Sequence, residues 1–244
     1  MRSVFAAVAF SLFIFTGICH GDEGVGEIAP FTLPFGITIV DLNNDGLADI
    51  AVAVTLVAGA PPHPGFVFVS LQNPAAPGSF LDGVRYATGT DPVAIASADL
   101  NDDGLPDLAV ANSTSASVSI LVQDPSNPGT FLPQTGVVVG GFPSGIAIAD
   151  LDGDGRLDLV TANNGLLNTT GSISVLLQKA LVAGKLSFKR KNYPGKTGPW
   201  SVAIGDLNAD DKPDIAVADG KVATVRFQNA NVPGAFLRAV AVGQ

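Results

Sequence analysis

The feature that most constrains the fold is a nine-residue acidic segment that occurs four times along the chain. Its copies begin at residues 41, 99, 150 and 206, so successive copies are 58, 51 and 56 residues apart. Each copy starts and ends with Asp, has Leu at position 2, Asp or Asn at position 3 and Asp at position 5. A repeat at this spacing indicates that one supersecondary unit is used several times.

Runs of small and β-branched residues flank each acidic segment, and such runs are typical of β-strands. One run leads into the segment and a second run follows it. A third run ends at a Gln, and a Phe eight or ten residues later predicts the start of a fourth strand. The four pairs are Gln72 and Phe80, Gln123 and Phe131, Gln178 and Phe188, and Gln228 and Phe236.

Four antiparallel strands in each unit predict an all-β fold, a β-propeller-type array of four-stranded antiparallel blades with four repeats present. Gly, Ala and Ser are frequent in the first strand of each unit, which suits an innermost strand where the blades converge. A blade cannot bury both faces alone, so neighbouring blades must stack. A linear β-solenoid and a β-sandwich are the alternative folds.

The acidic segments have the composition of calcium-binding loops. Side-chain oxygens occur at positions 1, 3, 5 and 9, and position 7 offers a backbone carbonyl. Calcium binds six to eight oxygens at about 2.3–2.6 Å in flexible geometry, so the sequence predicts up to four structural Ca²⁺ ions. The predicted ligands are Asp41, Asn43, Asp45, Leu47 and Asp49; Asp99, Asn101, Asp103, Leu105 and Asp107; Asp150, Asp152, Asp154, Arg156 and Asp158; and Asp206, Asn208, Asp210, Lys212 and Asp214.

The loops differ from EF-hands, which need Glu at position 12; the residues there are Val52, Val110, Thr161 and Val217. Crowded carboxylates repel one another unless a cation lies between them. Solvated turns are the alternative interpretation, because Asp, Asn and Gly are common turn residues. The fourth copy departs most, since Asp211 replaces the Gly at position 6 and is expected to adopt a positive φ.

The pattern Asp-x-Asx-x-Asp-Gly-x-x-Asp, flanked by Ile- and Val-containing strands and followed by Gly-x-Phe, resembles the FG-GAP/VCBS repeat family. The calcium-binding blades of integrin α-subunit propellers belong to that family. The resemblance covers the chain from about residue 30 to residue 244. It implies a β-propeller with calcium loops on one rim and an extracellular role in adhesion, carbohydrate binding or protein recognition.

Propellers of this family usually have about seven blades, whereas four motifs are present here. Three interpretations follow. The sequence is a fragment of a larger propeller, a small ring, or an open array completed by further blades from another chain or a longer parent protein.

Residues 1–21 have the features of a secretory signal peptide. Arg2 gives a basic start, residues 4–15 are mostly apolar, and small residues near Gly21 suit cleavage. This run is too short for a membrane-spanning helix, and no later run is long enough. We therefore expect a secreted, periplasmic or cell-surface protein whose repeat domain spans residues 22–244. Cys19, the only cysteine, would leave with the signal.

The net charge of −9 argues against nucleic acid as a partner, so we expect an extracellular glycan or protein. Phe35 and Trp200 precede first strands at the end opposite the acidic loops, where they could stack on a sugar ring or pack at the channel mouth. A catalytic set is not evident, since His63 is the one histidine after the signal. The sequence favours a binding module. The alternative is the propeller part of a secreted polysaccharide lyase or hydrolase.

Overall fold

The computed structural model describes residues 31–57, 63–165, 170–182, 184–196, 198–220 and 222–242. The predicted signal peptide lies outside these ranges, as do residues 22–30 of the predicted repeat domain. Within the described ranges the chain forms sixteen β-strands in four sheets. No helix in these ranges has the length and apolar character needed to cross a membrane.

The four sheets follow one another along the chain and are called blades 1 to 4. Blade 1 contains β1 (Phe31–Val40), β2 (Asp49–Val57), β3 (Gly65–Ser70) and β4 (Val84–Ala87). Blade 2 contains β5 (Pro92–Ala98), β6 (Asp107–Asn112), β7 (Ser117–Leu121) and β8 (Thr135–Val138). Blade 3 contains β9 (Pro143–Ala149), β10 (Asp158–Asn163), β11 (Ser172–Gln178) and β12 (Phe188–Pro194). Blade 4 contains β13 (Pro199–Gly205), β14 (Asp214–Asp219), β15 (Val222–Arg226) and β16 (Val240–Val242).

In every blade the four strands are antiparallel and lie side by side in chain order. The fold prediction is therefore confirmed: the protein is an all-β, β-propeller-type array of four-stranded blades. The strands form where the sequence is rich in Val, Ile, Leu and Ala, as in β6, where both faces are buried. A strand covered on both faces needs a nearly continuous apolar run rather than an alternating one.

The prediction that a Phe opens each fourth strand is wrong for three blades. Phe80, Phe131 and Phe236 form isolated bridges with the preceding Gln, and only Phe188 lies in a strand. The cause is a compact turn between Gln and Phe, closed in blade 1 by a hydrogen bond from the Asn73 amide to the Ser79 carbonyl at 2.9 Å. The fourth strands of blades 1, 2 and 4 begin later, at Val84, Thr135 and Val240.

The small residues of the first strands are explained by contacts between neighbouring blades. β5 contacts β1 and β9, and β9 contacts β13. A Cβ atom added to Gly36 would lie 2.9 Å from the Ala94 Cα, and one added to Gly145 would lie 3.0 Å from the Ser201 Cα. The first strands are thus the innermost ones, as predicted.

Three hydrophobic cores lie between successive blades and hold the array together. In β6, Leu108 packs towards blade 1 while Ala109 packs towards blade 3. Burying one Leu of this kind contributes about 2 kcal/mol. We call the side of a blade that faces the preceding blade its front face, and the side that faces the following blade its rear face.

In the part of the chain that the structure describes, no other blade covers the front of blade 1 or the rear of blade 4. On the front face of blade 1, the side chains of Ile37 and Ile39 are 60% and 66% exposed. On blade 4, Val240 and Val242 are 53% and 51% exposed. Each end therefore presents apolar side chains of the kind that other blades bury.

Candidate metal centres in the acidic loops

Each acidic segment forms the loop between the first and second strands of its blade, and its final Asp is the first residue of the second strand. Because the four blades share one topology, all four loops lie on the same rim of the array, where the first strands end and the second strands begin. The Asp at position 9 thus belongs to the sheet, whereas positions 1 to 8 form an irregular turn.

The Asp at position 1 organises the turn by accepting backbone hydrogen bonds. In the first loop, Asp41 Oδ1 accepts from the Asp45 amide at 3.2 Å and Asp41 Oδ2 from the Gly46 amide at 2.7 Å. Asp99 and Asp206 accept from the same two positions of their loops, and Asp150 does so with an extra bond from the Gly153 amide at 2.7 Å. The loop conformation is therefore encoded within the nine residues.

The residues at positions 3, 5 and 7 are joined by short contacts. Asp45 Oδ1 accepts from the Leu47 amide at 2.8 Å, and Asp45 Oδ2 accepts from the Asn43 side-chain amide at 3.0 Å. The second and fourth loops repeat both contacts, through Asn101, Asp103 and Leu105 and through Asn208, Asp210 and Lys212. The amides at position 7 face these carboxylates. Metal ligation by the carbonyls at that position stays a prediction.

Position 6 adopts the left-handed backbone region in all four loops. Gly46, Gly104 and Gly155 have φ of 84° to 85°, and Asp211 has φ of 61°. Asp211 therefore takes the positive φ expected from the sequence. Position 4 also has a positive φ, which sequence reasoning missed, because three of its four residues are not Gly: Asn44, Asp102, Gly153 and Ala209.

The Asp at position 9 is completely buried in every blade. In blade 1, Asp49 Oδ2 accepts a hydrogen bond from the backbone amide of Leu42 at 2.8 Å. Asp49 Oδ1 accepts one from the backbone amide of Gln72 at 2.7 Å. The same two bonds are made by Asp107, Asp158 and Asp214 in their blades. Position 9 thus ties the loop to the end of the third strand, a structural role that sequence reasoning did not assign.

Burial also alters the acidity of this position. Burial raises the pKa of Asp107 to about 7 and that of Asp158 to about 6, although the backbone amides act to lower both. The neighbouring carboxylates of Asp103 and Asp99 raise the pKa of Asp107 further. A cation beside these groups would favour their ionised form and offset the cost of burying the charge.

The third loop brings carboxylates together most closely. Oxygens of Asp150, Asp152 and Asp158 all lie within 4.8 Å of one another, and no other such group of three occurs among the described residues. Asp152 Oδ1 is buried without a hydrogen-bond partner there. Burial and then the charge of Asp154 raise the pKa of Asp152. An unpartnered buried oxygen among carboxylates fits a hard cation such as Ca²⁺.

Asp154, the remaining predicted carboxylate of this loop, is engaged differently. Its Oδ2 accepts a hydrogen bond from the Arg156 guanidinium and its Oδ1 accepts one from the Arg156 amide at 3.0 Å. The structure thus brings together three of the four carboxylates predicted for this site, with the fourth paired to a cationic side chain.

Phe35 and Trp200 are the extra residues of two β-bulges. The pairing register shifts between Pro34 and Gly36 and again between Pro199 and Ser201. A bulge redirects a side chain away from the ladder. Phe35 is 51% exposed on blade 1 and Trp200 is 45% exposed on blade 4, so the two rings belong to opposite ends of the array.

His63 and Tyr193, two side chains able to transfer protons, belong to different blades. His63 Nδ1 lies 3.2 Å from Asp91 Oδ1 on blade 1. Tyr193 is buried at the joint between blades 3 and 4, where its hydroxyl accepts a hydrogen bond from the Phe236 amide at 3.0 Å. Tyr193 is thus part of the core.

Comparison with known proteins bears on the fold and the repeats. The fold is similar to the solved structure of the rhamnogalacturonan lyase PL11 of Bacillus licheniformis, with a TM-score of 0.50 and 14% sequence identity. The similarity covers 87% of this chain and 51% of that one, so the chain spans about half of that structure. Comparison with curated proteins gives no match.

The sequence also matches the FG-GAP-like repeat in two overlapping segments, residues 41–110 and 99–161. These segments contain the first three acidic loops and strands β2 to β9. The four blades, each with one acidic loop between its first two strands, agree with that match. Residues 41–161 of the chain are therefore FG-GAP-like repeats.

Proposed function

We propose that this protein is a secreted β-propeller module that is stabilised by calcium and binds an extracellular glycan or protein. The observation that supports calcium most directly is the group of Asp150, Asp152 and Asp158 oxygens around a buried, unpartnered Asp152 Oδ1. The repeated oxygen pattern extends the proposal to all four loops. Calcium would be structural, since its binding free energy adds to the stability of the folded state.

Calorimetric melting in calcium and in chelator tests this proposal. A ligand at about 100 times its Kd stabilises the folded state by about 2.7 kcal/mol per site, so we expect a clearly higher Tm in calcium. Asp152→Asn should reduce the calcium-dependent rise, and Asn208→Asp, which gives the fourth loop the acidic residue of the third, should increase it. Asp82→Asn is the matched control, because Asp82 is exposed and outside the loops. Equal Tm values in calcium and chelator would refute the metal proposal.

The glycan part of the proposal rests on the exposed rings at the bulges and on the neighbouring lyase structure. Trp200 is the single tryptophan of the chain, so its fluorescence reports directly on events at blade 4. We expect rhamnogalacturonan oligosaccharides to change this fluorescence if sugar rings stack on the indole. Phe35→Ala, on blade 1, should leave that signal unchanged and provides the control. An unchanged spectrum at saturating oligosaccharide would argue against a glycan site at Trp200.

A second candidate function is the propeller part of a polysaccharide lyase or hydrolase, which the structural similarity to a rhamnogalacturonan lyase favours. The same oligosaccharides distinguish the two functions, because a lyase produces unsaturated sugar ends with ultraviolet absorbance. Turnover that is lost in His63→Ala would support an enzyme. Binding without new reducing or unsaturated ends would support the binding module.

Secretion is tested separately by expressing the full sequence and recovering the exported protein. N-terminal sequencing should find a start close to Asp22, after the predicted cleavage near Gly21. An intact N-terminus in the cell fraction would argue against the signal peptide.

A further inference from the structure

The three joints between blades share one hydrogen bond that crosses from each blade to the one before it. In blades 2, 3 and 4, the Gln at the end of the third strand donates its side-chain amide to the carbonyl of the Leu at loop position 2 in the preceding blade. The pairs are Gln123 to Leu42 at 2.8 Å, Gln178 to Leu100 at 3.0 Å and Gln228 to Leu151 at 2.7 Å. The joint is thus a defined interface that the chain builds three times.

One more donor and one more acceptor of this kind are present, Gln72 and Leu207. Neither has a partner on a neighbouring blade among the described residues. Gln72, at the front of blade 1, donates its side-chain amide within the described residues only to the Ala48 carbonyl of its own blade. Leu207, in the fourth loop, has the position of Leu42, Leu100 and Leu151, and no described Gln reaches its carbonyl. Leu42, Leu100 and Leu151 are at most 2% exposed, whereas Leu207 is 52% exposed.

The front face of blade 1 shows the same contrast in apolar side chains. Phe131 and Phe236 pack against a preceding blade and are 8% and 7% exposed, whereas the equivalent Phe80 is 43% exposed. Gly129 lies against Leu71 of the preceding blade and Gly234 against Leu177, while an added Cβ at the equivalent Gly78 would meet nothing within 4 Å. Blade 1 therefore has every component of a front face, and no blade formed by the described residues covers it.

We propose that the front face of blade 1 docks on the rear face of blade 4 in a second copy of this chain. The proposed contact repeats the internal joints: Gln72 of one copy donates to the Leu207 carbonyl of the other, and Ile37 and Ile39 are covered by blade 4. The occupant is a second copy because each face is complementary to the opposite face of the same chain.

The pairing is head-to-tail, because the two faces that meet are different surfaces. A head-to-tail contact closes into a ring where the rotation permits and otherwise extends into a chain of copies. Covering both ends removes exposed apolar side chains from water, which is the main favourable contribution to such association. The inference depends on the joints alone and is independent of calcium or glycan binding.

The mass of the purified protein in solution, measured by light scattering over a range of concentrations, tests the proposal. We expect assemblies of two or more copies. Ile37→Lys, on the front face, and Leu207→Lys, on the rear face, should each weaken association by about tenfold or more, because a charge would be buried at the contact. Val182→Lys is the control, since Val182 is 72% exposed and lies in a loop of blade 3 away from both end faces. Circular dichroism verifies the fold of each variant.

Mixing the two variants tests the head-to-tail geometry. Ile37→Lys retains an intact rear face and Leu207→Lys an intact front face, so an equimolar mixture should regain pairs that neither variant forms alone. A monomer at every concentration would overturn the proposal. Assembly that survives both substitutions, or that mixing does not restore after each variant has lost it, would also overturn it.

Discussion

The third and fourth acidic loops share the hydrogen bonds made by the Asp residues at positions 1 and 9 but have different surroundings. In both loops, the Asp at position 1 accepts the amides of positions 5 and 6, and the buried Asp at position 9 accepts the amide of position 2. The third loop is covered by the next blade, and its Leu151 is fully buried. The fourth loop has no blade after it within the described residues, and its Leu207 is half exposed.

This comparison separates two contributions to the site. The loop conformation is local, because it survives where the neighbouring blade is absent and where the Gly at position 6 is Asp211. Burial of the Leu and convergence of carboxylates depend on more than local hydrogen bonds. Asn208 takes the place of Asp152, so the fourth loop lacks the acidic residue that completes the third-loop group.

The largest effect should come from removing the Asp at position 9. Asp158→Ala leaves the amides of Leu151 and Gln178 buried without acceptors, and each unsatisfied group costs about 1–3 kcal/mol. We expect a loss of about 4 kcal/mol in the free energy of unfolding. Asp214→Ala should cost less, about 2 kcal/mol, because water can reach the amide of the exposed Leu207. Urea unfolding measures both, and equal losses would contradict the dependence on the covering blade.

The pH dependence of the metal-free protein should distinguish the two loops next. Burial raises the pKa of Asp158 to about 6 from the ordinary value of 3.8, so the folded state binds this proton more tightly than the unfolded state. This contribution is complete below about pH 4 and is lost as the pH rises through about 6. One unit of pKa corresponds to about 1.4 kcal/mol, so the change amounts to about 2–3 kcal/mol.

Asp206, at position 1 of the fourth loop, should behave in the opposite direction to Asp158. Desolvation acts to raise the pKa of Asp206, but the amides of residues 208–211 together outweigh it and lower that pKa. Its contribution is present above pH 3.8 and is lost only under more acidic conditions. Unfolding in chelator from pH 3 to pH 8 should therefore show that Asp158→Asn flattens the profile between pH 4 and 7. Asp206→Asn should leave that window unchanged, and a reversed result would contradict the assigned shifts.

The repeat made the fold predictable from the sequence, and the reason is physical. The same strand and turn signals occur once in each of the four units, so errors in one copy are corrected by the others. The innermost position of the first strands followed from Gly36 and its equivalents, since only small residues allow such close approach of the backbones. The Gln–Phe turn was misread because Phe80 pairs through a single bridge that no periodicity reveals.

The site was predictable in composition but not in detail. Metal ligation by the predicted oxygens stays a prediction. The buried Asp at position 9 also accepts the backbone amide of Gln72, which is 23 residues away in blade 1. The signal was present, because a Gln recurs at this point in every unit, but it was interpreted only as a strand marker. The pairing of Arg156 with Asp154 is peculiar to the third loop, and no repeat pattern could indicate it.

The smallest effect concerns backbone strain at positions 4 and 6. Ala209 and Asp211 have φ of 60° and 61°, where the third loop has Gly153 and Gly155. A residue with a Cβ pays about 1 kcal/mol in this region, and Asp less than Ala, so Ala209→Gly should stabilise the protein by about 1 kcal/mol and Asp211→Gly by about half of that.

The reciprocal changes isolate strain from steric clash, because a Cβ atom added to Gly153 or Gly155 meets nothing within 4 Å. Gly153→Ala and Gly155→Asp should therefore destabilise the third loop by amounts that mirror the gains in the fourth. Differences in Tm between these four variants and the unmodified protein measure the effect. Gains in the fourth loop without matching losses in the third would mean that the neighbouring blade, and not the local φ, determines the conformation of the acidic loops.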